Sequence, residues 1–229
     1  MAAAPTVIAI DGPASSGKST LGQKLARKLG YLYFDTGCLY RAVTVAALQR
    51  ELLVTDAGAM TRLAAVLDIR VKPPNVNDGR QYTVLVDEID VTWELRSPQT
   101  DESVSIVSTY PEVRRTLTKH MRAIAGAGRV IMVGRDIGTV VLPDAPLKLF
   151  LYAGVEERAR RRHVEILARG ESIDYEAVLA AMRARDGTDS ERAAAPLRAA
   201  SDAIMLDTTG MEPARALAVI EAIVRKHST

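Results

Sequence analysis

Residues 12–19 read Gly12-Pro13-Ala14-Ser15-Ser16-Gly17-Lys18-Ser19, the G-x-x-x-x-G-K-[ST] spacing of a loop that cradles phosphates. Its chemistry follows from the residue types. Glycines let backbone N–H groups wrap a phosphate, Lys18 brings a cation to the β- and γ-phosphates, and the Ser19 hydroxyl can ligate Mg²⁺. Thr20 adds a hydroxyl for the α-phosphate. The chemistry is that of ATP held with Mg²⁺. Further along, Arg158, Arg161 and Arg162 stand three and four residues apart, so on a helix Arg158 and either partner reach the same side. Arg158 and Arg161 are the candidate contacts to ATP or to the transition state.

The loop needs a strand before it and a helix after it. Thr6–Ile10 is a short apolar run, and Leu21, Leu25 and Leu29 recur every four residues up to Gly30, which predicts strand, loop, helix and C-cap. Tyr31–Phe34 is a second apolar run, leading into a helix with Leu39, Val43 and Ala46 inward and Arg41 outside that stripe. From Asp68 to Trp93 the period becomes two. Tyr82, Val84 and Val86, then Ile89, Val91 and Trp93, alternate with polar or smaller residues after an Asn77-Asp78-Gly79 turn, as in a small antiparallel sheet. Thr109 with Glu112 predicts a capping box for a helix carrying Val113, Leu117, Met121 and Ile124.

Val130–Val133 and Leu147–Tyr152 are further apolar strands, separated by the Gly134–Gly138 loop. Two arginine-rich helices, Val155–Ala168 and Tyr175–Arg192, join through Arg169-Gly170-Glu171-Ser172, and Ala203–Leu206 and Glu212–Lys226 read as a last strand and helix. The alternation predicts an α/β fold: a P-loop NTPase-type parallel sheet flanked by helices, with a small antiparallel β insert. The expected domains are a core of residues 1–67 and 110–229 and an insert of residues 68–109.

Composition limits the partners. In 229 residues, 30 Lys plus Arg face 28 Asp plus Glu, a net charge of +2, so there is no charge footprint of a nucleic-acid binder. Cys38 stands alone, which excludes an internal disulfide, and is expected to be a small half-buried residue. Met1–Pro5 lacks the features of a secretory signal and no long apolar run occurs, so a cytoplasmic, monomeric protein without a membrane span is expected. No Asn-Lys-x-Asp segment of the kind GTPases use to read guanine is present.

Four segments narrow the identity: Asp35-Thr36-Gly37-Cys38-Leu39-Tyr40-Arg41, Gly134-Arg135-Asp136-Ile137-Gly138-Thr139-Val140-Val141, Pro143-Asp144-Ala145-Pro146, and the stretch from Arg185-Asp186 through Asp189 and Arg192 to Ala195-Pro196-Leu197. With the β-rich insert, they resemble bacterial cytidylate kinase over essentially the whole chain. The resemblance implies a nucleoside monophosphate kinase with a helical lid, at about residues 158–192 of the core, that moves the ATP γ-phosphoryl group to CMP or dCMP. It further implies that Arg41, Arg135 and Arg192 hold the acceptor phosphate, with Thr36 beside it. Ser105, Arg114 and Asp136 would face cytosine, and Arg185 and Asp189 the ribose.

Base-edge chemistry agrees, because cytosine offers an N4 donor to a carboxylate and acceptors at N3 and O2 to a guanidinium. Other readings stay open. Asp136 could instead order metal-bound water; Ser105, beside Val104, Ile106 and Val107, could be a buried hydroxyl bonded to its own backbone; Arg114, next to Arg115, could be a solvated surface group. Three departures stand out. Val133 occupies a position where relatives carry an acid, the Asp87-Glu88 hairpin lacks a glycine, and Gly187-Thr188 lacks an arginine. The rival readings are another small P-loop kinase, of the UMP/AMP, shikimate or gluconate type, and a non-catalytic nucleotide-sensing module.

Overall fold

The computed structural model describes residues 4–168, 170, 172–191 and 195–228. In it the first apolar run is strand β1 (Val7–Asp11) and the leucine-periodic segment is helix α1 (Lys18–Leu29). Leu21 and Leu25 are buried, and the helix stops at Gly30, φ 67°, whose N–H reaches Ala26 O; glycine takes this left-handed C-cap without a steric penalty. There follow β2 (Leu32–Asp35), α2 (Gly37–Gln49), α3 (Ala57–Val66), β3 (Ile69–Lys72), β4 (Thr83–Val86), β5 (Ile89–Asp90), α4 (Pro98–Val107) and α5 (Pro111–Gly126). The chain continues as β6 (Val130–Gly134), β7 (Leu147–Tyr152), α6 (Val155–Ala168), α7 (Tyr175–Glu191), β8 (Ile204–Asp207) and α8 (Pro213–Lys226). Two compact units result: one runs up to Tyr31 and resumes at Ile131, the other is Leu32–Val130.

In the first unit the strands lie in the order β6-β1-β7-β8, and β7 is parallel to both β1 and β8. Every residue of β6 is buried, as are Ile8, Ala9, Ile10 and Asp11 of β1. Continuous apolar strands of this kind belong to sheets covered on both faces. The register sets Asp11 beside Phe150 and Tyr152 beside Asp207. The carboxyl ends of β1, β7 and β8 therefore share one edge, the edge at which open α/β sheets bind ligands.

The second unit carries the antiparallel sheet β3-β4-β5, with Ile69 opposite Val86 and Val86 opposite Ile89. It extends on both sides of residues 68–109. The β4–β5 hairpin turns on Asp87 and Glu88, at φ 49° and 66°, a two-residue turn that glycine or asparagine usually fills. Asp87 steadies it by accepting from Asp68 N at 3.1 Å and pairing with Arg50 at 2.7 Å.

Four local expectations are corrected. Helix α2 buries every residue from Cys38 to Ala47 except Arg41, far more than one stripe, because it is packed on nearly all sides. Cys38 is accordingly enclosed, not half-buried, and burial together with Asp35 pushes its thiol pKa up. Ile89 and Trp93 are exposed while Val91 is buried. The strand ends at Asp90, whose Oδ1 accepts from Thr92 N and Oγ1 at 3.0 and 2.6 Å and breaks the alternation. No Thr109 capping box forms: the N-cap of α5 is Tyr110, and Thr109 Oγ1 donates to Ile106 O at 2.7 Å, closing α4 instead. Pro111 starts α5 without needing that donor satisfied. Among the described residues no helix is long and apolar enough to cross a membrane.

Candidate functional site

The loop between β1 and α1 is shaped by its glycines. Gly12 has φ 146°, and a Cβ there would lie 1.9 Å from Leu151 O, so no side chain fits between the loop and β7. Gly17, φ 90°, is the N-cap of α1, where a helix gathers the positive end of its dipole and unsatisfied N–H groups. Between them, three loop carbonyls, those of Pro13, Ala14 and Ser16, accept from protein donors. Lys18 Nζ donates to Pro13 O at 2.5 Å and to Ser16 Oγ at 3.4 Å. Thr208 Oγ1 donates to Ser16 O at 3.1 Å, and Arg158 Nη1 to Ala14 O at 3.2 Å. Carbonyl dipoles oppose a phosphate, so engaging them favours an anion at the loop.

Arg158 and Arg161 reach this loop from α6. Arg158 is buried; its Nε donates to Ala153 O at 2.8 Å, and its two terminal nitrogens pair with Asp186 on α7 at 3.1 and 2.5 Å. Arg161 donates to Thr208 O at 2.5 Å and to Glu157 at 3.0 Å. The two-residue set thus binds α6 to the loop directly through Ala14 and indirectly through Thr208. Ser19 and Thr20 are exposed on the first turn of α1.

After β6, the loop of Arg135 and Asp136 enters a π-helical turn, Ile137–Val141. Arg135 Nε donates to Asp189 Oδ2 at 2.9 Å, both largely buried. Asp136 is 8% exposed. Its neighbour Asp11, at the end of β1, accepts from Ile137 N at 2.8 Å and Gly138 N at 2.7 Å. Burial, opposed by those two amides, raises the Asp11 pKa to about 6. Val133 is buried in β6. Arg185 is exposed on α7; Arg192, and Arg169 and Glu171 of the turn between α6 and α7, lie outside the described residues.

The second unit assembles another set. Arg41 leaves α2 and donates to Leu95 O at 2.7 Å and Asp101 Oδ1 at 2.5 Å. Thr36, the N-cap of α2, is buried. Arg114 lies with its guanidinium 5.5 Å from the centre of the Tyr40 ring and donates to Ser108 O at 3.3 Å, so it is not a solvated surface group. Ser105 is exposed, not a buried hydroxyl, and its carbonyl accepts from Ser108 Oγ at 2.8 Å. Arg114, Ser105 and Tyr40 therefore share Ser108 and a cation–π contact as their framework.

Five residues escaped the sequence reading: Asp11, Thr208, Asp186, Asp101 and Tyr40. For Asp11 a signal existed, an acid ending an otherwise apolar strand just before Gly12. The others are joined to their partners by contacts of 28 to 192 residues' separation, or by a cation–π contact, and no local pattern announces these.

The family model described as Cytidylate kinase matches residues 8–229. A cytidylate kinase of Roseiflexus castenholzii is 50% identical over 96% of this chain and 93% of its own length. One from Herpetosiphon aurantiacus is 49% identical over 96% and 94%, and one from Carboxydothermus hydrogenoformans 48% identical over 96% and 98%. Among solved structures, an uncharacterized protein from Eubacterium ventriosum shares the fold with a TM-score of 0.52 at 13% identity, covering 96% of this chain and 98% of that one.

Proposed function

The chain belongs to the cytidylate kinase family, and on that premise we propose how its residues carry the ATP γ-phosphoryl group to CMP or dCMP. It is a nucleoside monophosphate kinase, a phosphotransferase with ATP as donor. The single observation that carries the residue assignment is the engagement of the loop carbonyls of Pro13, Ser16 and Ala14 by Lys18, Thr208 and Arg158, which suits the loop to a polyphosphate.

Gly12 to Thr20 hold the ATP phosphates. Lys18 moves from Pro13 O to the β- and γ-phosphates, and Arg158 and Arg161 add positive charge beside the loop. Magnesium suits the donor set, since this ion takes few protein ligands and keeps phosphates and water for the rest, and the exposed Ser19 hydroxyl is an oxygen donor at the right turn. Ser19 would hold Mg²⁺, which would supply positive charge to the ATP phosphates. No cluster of three or more metal-ligating side chains exists among the described residues.

On the acceptor side, Arg41, Arg135 and Arg192 hold the CMP phosphate with Thr36. Asp136 accepts from cytosine N4, Arg114 and Ser105 meet N3 and O2, and Arg185 and Asp189 contact the ribose. Residues 68–109 form the CMP-binding insert. A phosphate oxygen of CMP attacks the γ-phosphorus in line; its new P–O bond forms as the bond to the β-phosphate oxygen breaks and ADP leaves. The acceptor phosphate has a second pKa near ~6 and is mostly dianionic at neutral pH, so no general base is needed. Together these residues align and neutralise the two anions. ADP release that depends on CMP or dCMP and disappears in Lys18→Ala tests the reading; equal release without CMP refutes it.

A further inference from the structure

The acid at the end of β1 has no part in the scheme above, yet it is buried and doubly bonded. Asp11 is 4% exposed, and its oxygens accept separately from the amides of Ile137 and Gly138, residues 126 and 127 positions away. Those amides begin the π-helical turn whose N-cap is Asp136, and both residues are buried, so without Asp11 they would lose their side-chain acceptor inside the fold. Space is as restricted as polarity. A Cβ on Gly138 would lie 3.4 Å from Asp11 Oδ2 and 3.1 Å from Lys148 Cδ.

We propose that Asp11 is a positioning residue for acceptor recognition, its carboxylate holding the Ile137 and Gly138 amides and so fixing the backbone that carries Arg135 and Asp136. The inference rests on the CMP kinase reading for its consequence but not for its geometry. Arg135 is already turned toward Asp189 at 2.9 Å, and a loop free to shift by an ångström would lose that alignment.

The contact depends on charge. An ionised carboxylate offers two acceptor oxygens, whereas a protonated one offers an acceptor and a hydroxyl donor, which leaves one amide facing a donor. The charged groups facing Asp11 are Lys18 from α1, which favours ionisation, and Asp136 from the loop, which opposes it. Lys148 of β7 packs its stem against Gly138, but its ammonium is taken by Asp202, at 2.7 and 2.9 Å, and by Pro143 O. Burial outweighs the amides, and the carboxyl titrates at about 6 instead of 3.8. The loop is therefore held firmly above that pH and loosened below it.

Asp11→Asn resembles the protonated form at every pH. The ratio of kcat/KM for CMP between the wild-type chain and Asp11→Asn cancels the titration of CMP itself. The ratio is expected to be about tenfold at pH 8, the cost of one unmade buried hydrogen bond, and to shrink to about twofold or less at pH 5. KM for ATP should stay within about twofold, since the loop of Gly12–Ser19 is held by other residues. A ratio that does not change with pH, or an ATP KM that rises as much as the CMP KM, overturns the proposal. Should Asp11→Asn fail to fold, the wild-type chain alone carries the test through its amide shifts. Amide shifts of Ile137 and Gly138, followed by NMR from pH 5 to 8, report the contact whichever acceptor the enzyme uses. They should titrate near pH 6 in the wild-type chain and stay flat in Asp11→Asn; flat shifts in the wild-type chain refute the contact's dependence on charge.

Discussion

Both carboxylate oxygens of Asp186 accept from the Arg158 guanidinium, at 3.1 Å from Nη1 and 2.5 Å from Nη2, while the same Nη1 reaches Ala14 O at 3.2 Å. One buried cation thereby joins α7, α6 and the phosphate loop. Its planar fork allows this; a lysine could not hold a bidentate carboxylate and a carbonyl together.

Asp186→Asn should therefore do two things. Leaving a buried guanidinium with a weaker partner costs about 2–3 kcal/mol, a fall in Tm of about 4–12 °C for a chain of this size. ATP binding should weaken too, since Arg158 also steadies Ala14. Thermal denaturation and ATP titration check both; a lowered Tm with unchanged ATP affinity would separate Arg158 from the loop's function.

Asp136→Asn bears on base recognition. An amide in place of the carboxylate can turn a donor toward uracil O4 but meets cytosine N4 less well. CMP use should fall by about ten- to a hundredfold while UMP use falls less. Steady-state kinetics with both acceptors decide it. Equal losses for CMP and UMP, with altered Mg²⁺ dependence, would assign Asp136 to the metal's surroundings instead.

The Asp87-Glu88 hairpin offers a test of stability alone. Both residues sit at positive φ, where a side chain costs about 1–2 kcal/mol. Glu88→Gly removes that strain but loses the exposed ion pair with Arg70, worth about 0–1 kcal/mol, and adds entropy to the unfolded chain. The net expectation is a gain of about 0.5 kcal/mol, seen as a Tm higher by about 1–2 °C with unchanged activity. A drop in Tm would show the ion pair to matter more than the backbone.

What the sequence disclosed and what it withheld divide along contact range. The β1-loop-α1 unit was legible because each part is coded locally: an apolar run, glycines at the bends, leucines at helical spacing, Gly30 at the stop. The antiparallel sheet was legible from Tyr82, Val84 and Val86, but its last strand was not, because Asp90 folds the chain onto Thr92 and no periodicity reports an Asx turn. Thr109 and Glu112 fit a capping box by spacing, and the competing bond to Ile106 O decided otherwise. The burial of Arg158 was invisible for a different reason. Its partners come from residues 14, 153 and 186, so its environment exists only once the fold has formed.

The most direct test of the account is ADP release from ATP and Mg²⁺ by the wild-type chain in the presence, one at a time, of CMP, dCMP, UMP, AMP and shikimate, with Lys18→Ala as the control. The account predicts strong stimulation by CMP and dCMP, weaker stimulation by UMP, none by AMP or shikimate, and no turnover in Lys18→Ala. Release that no nucleoside monophosphate stimulates would contradict it.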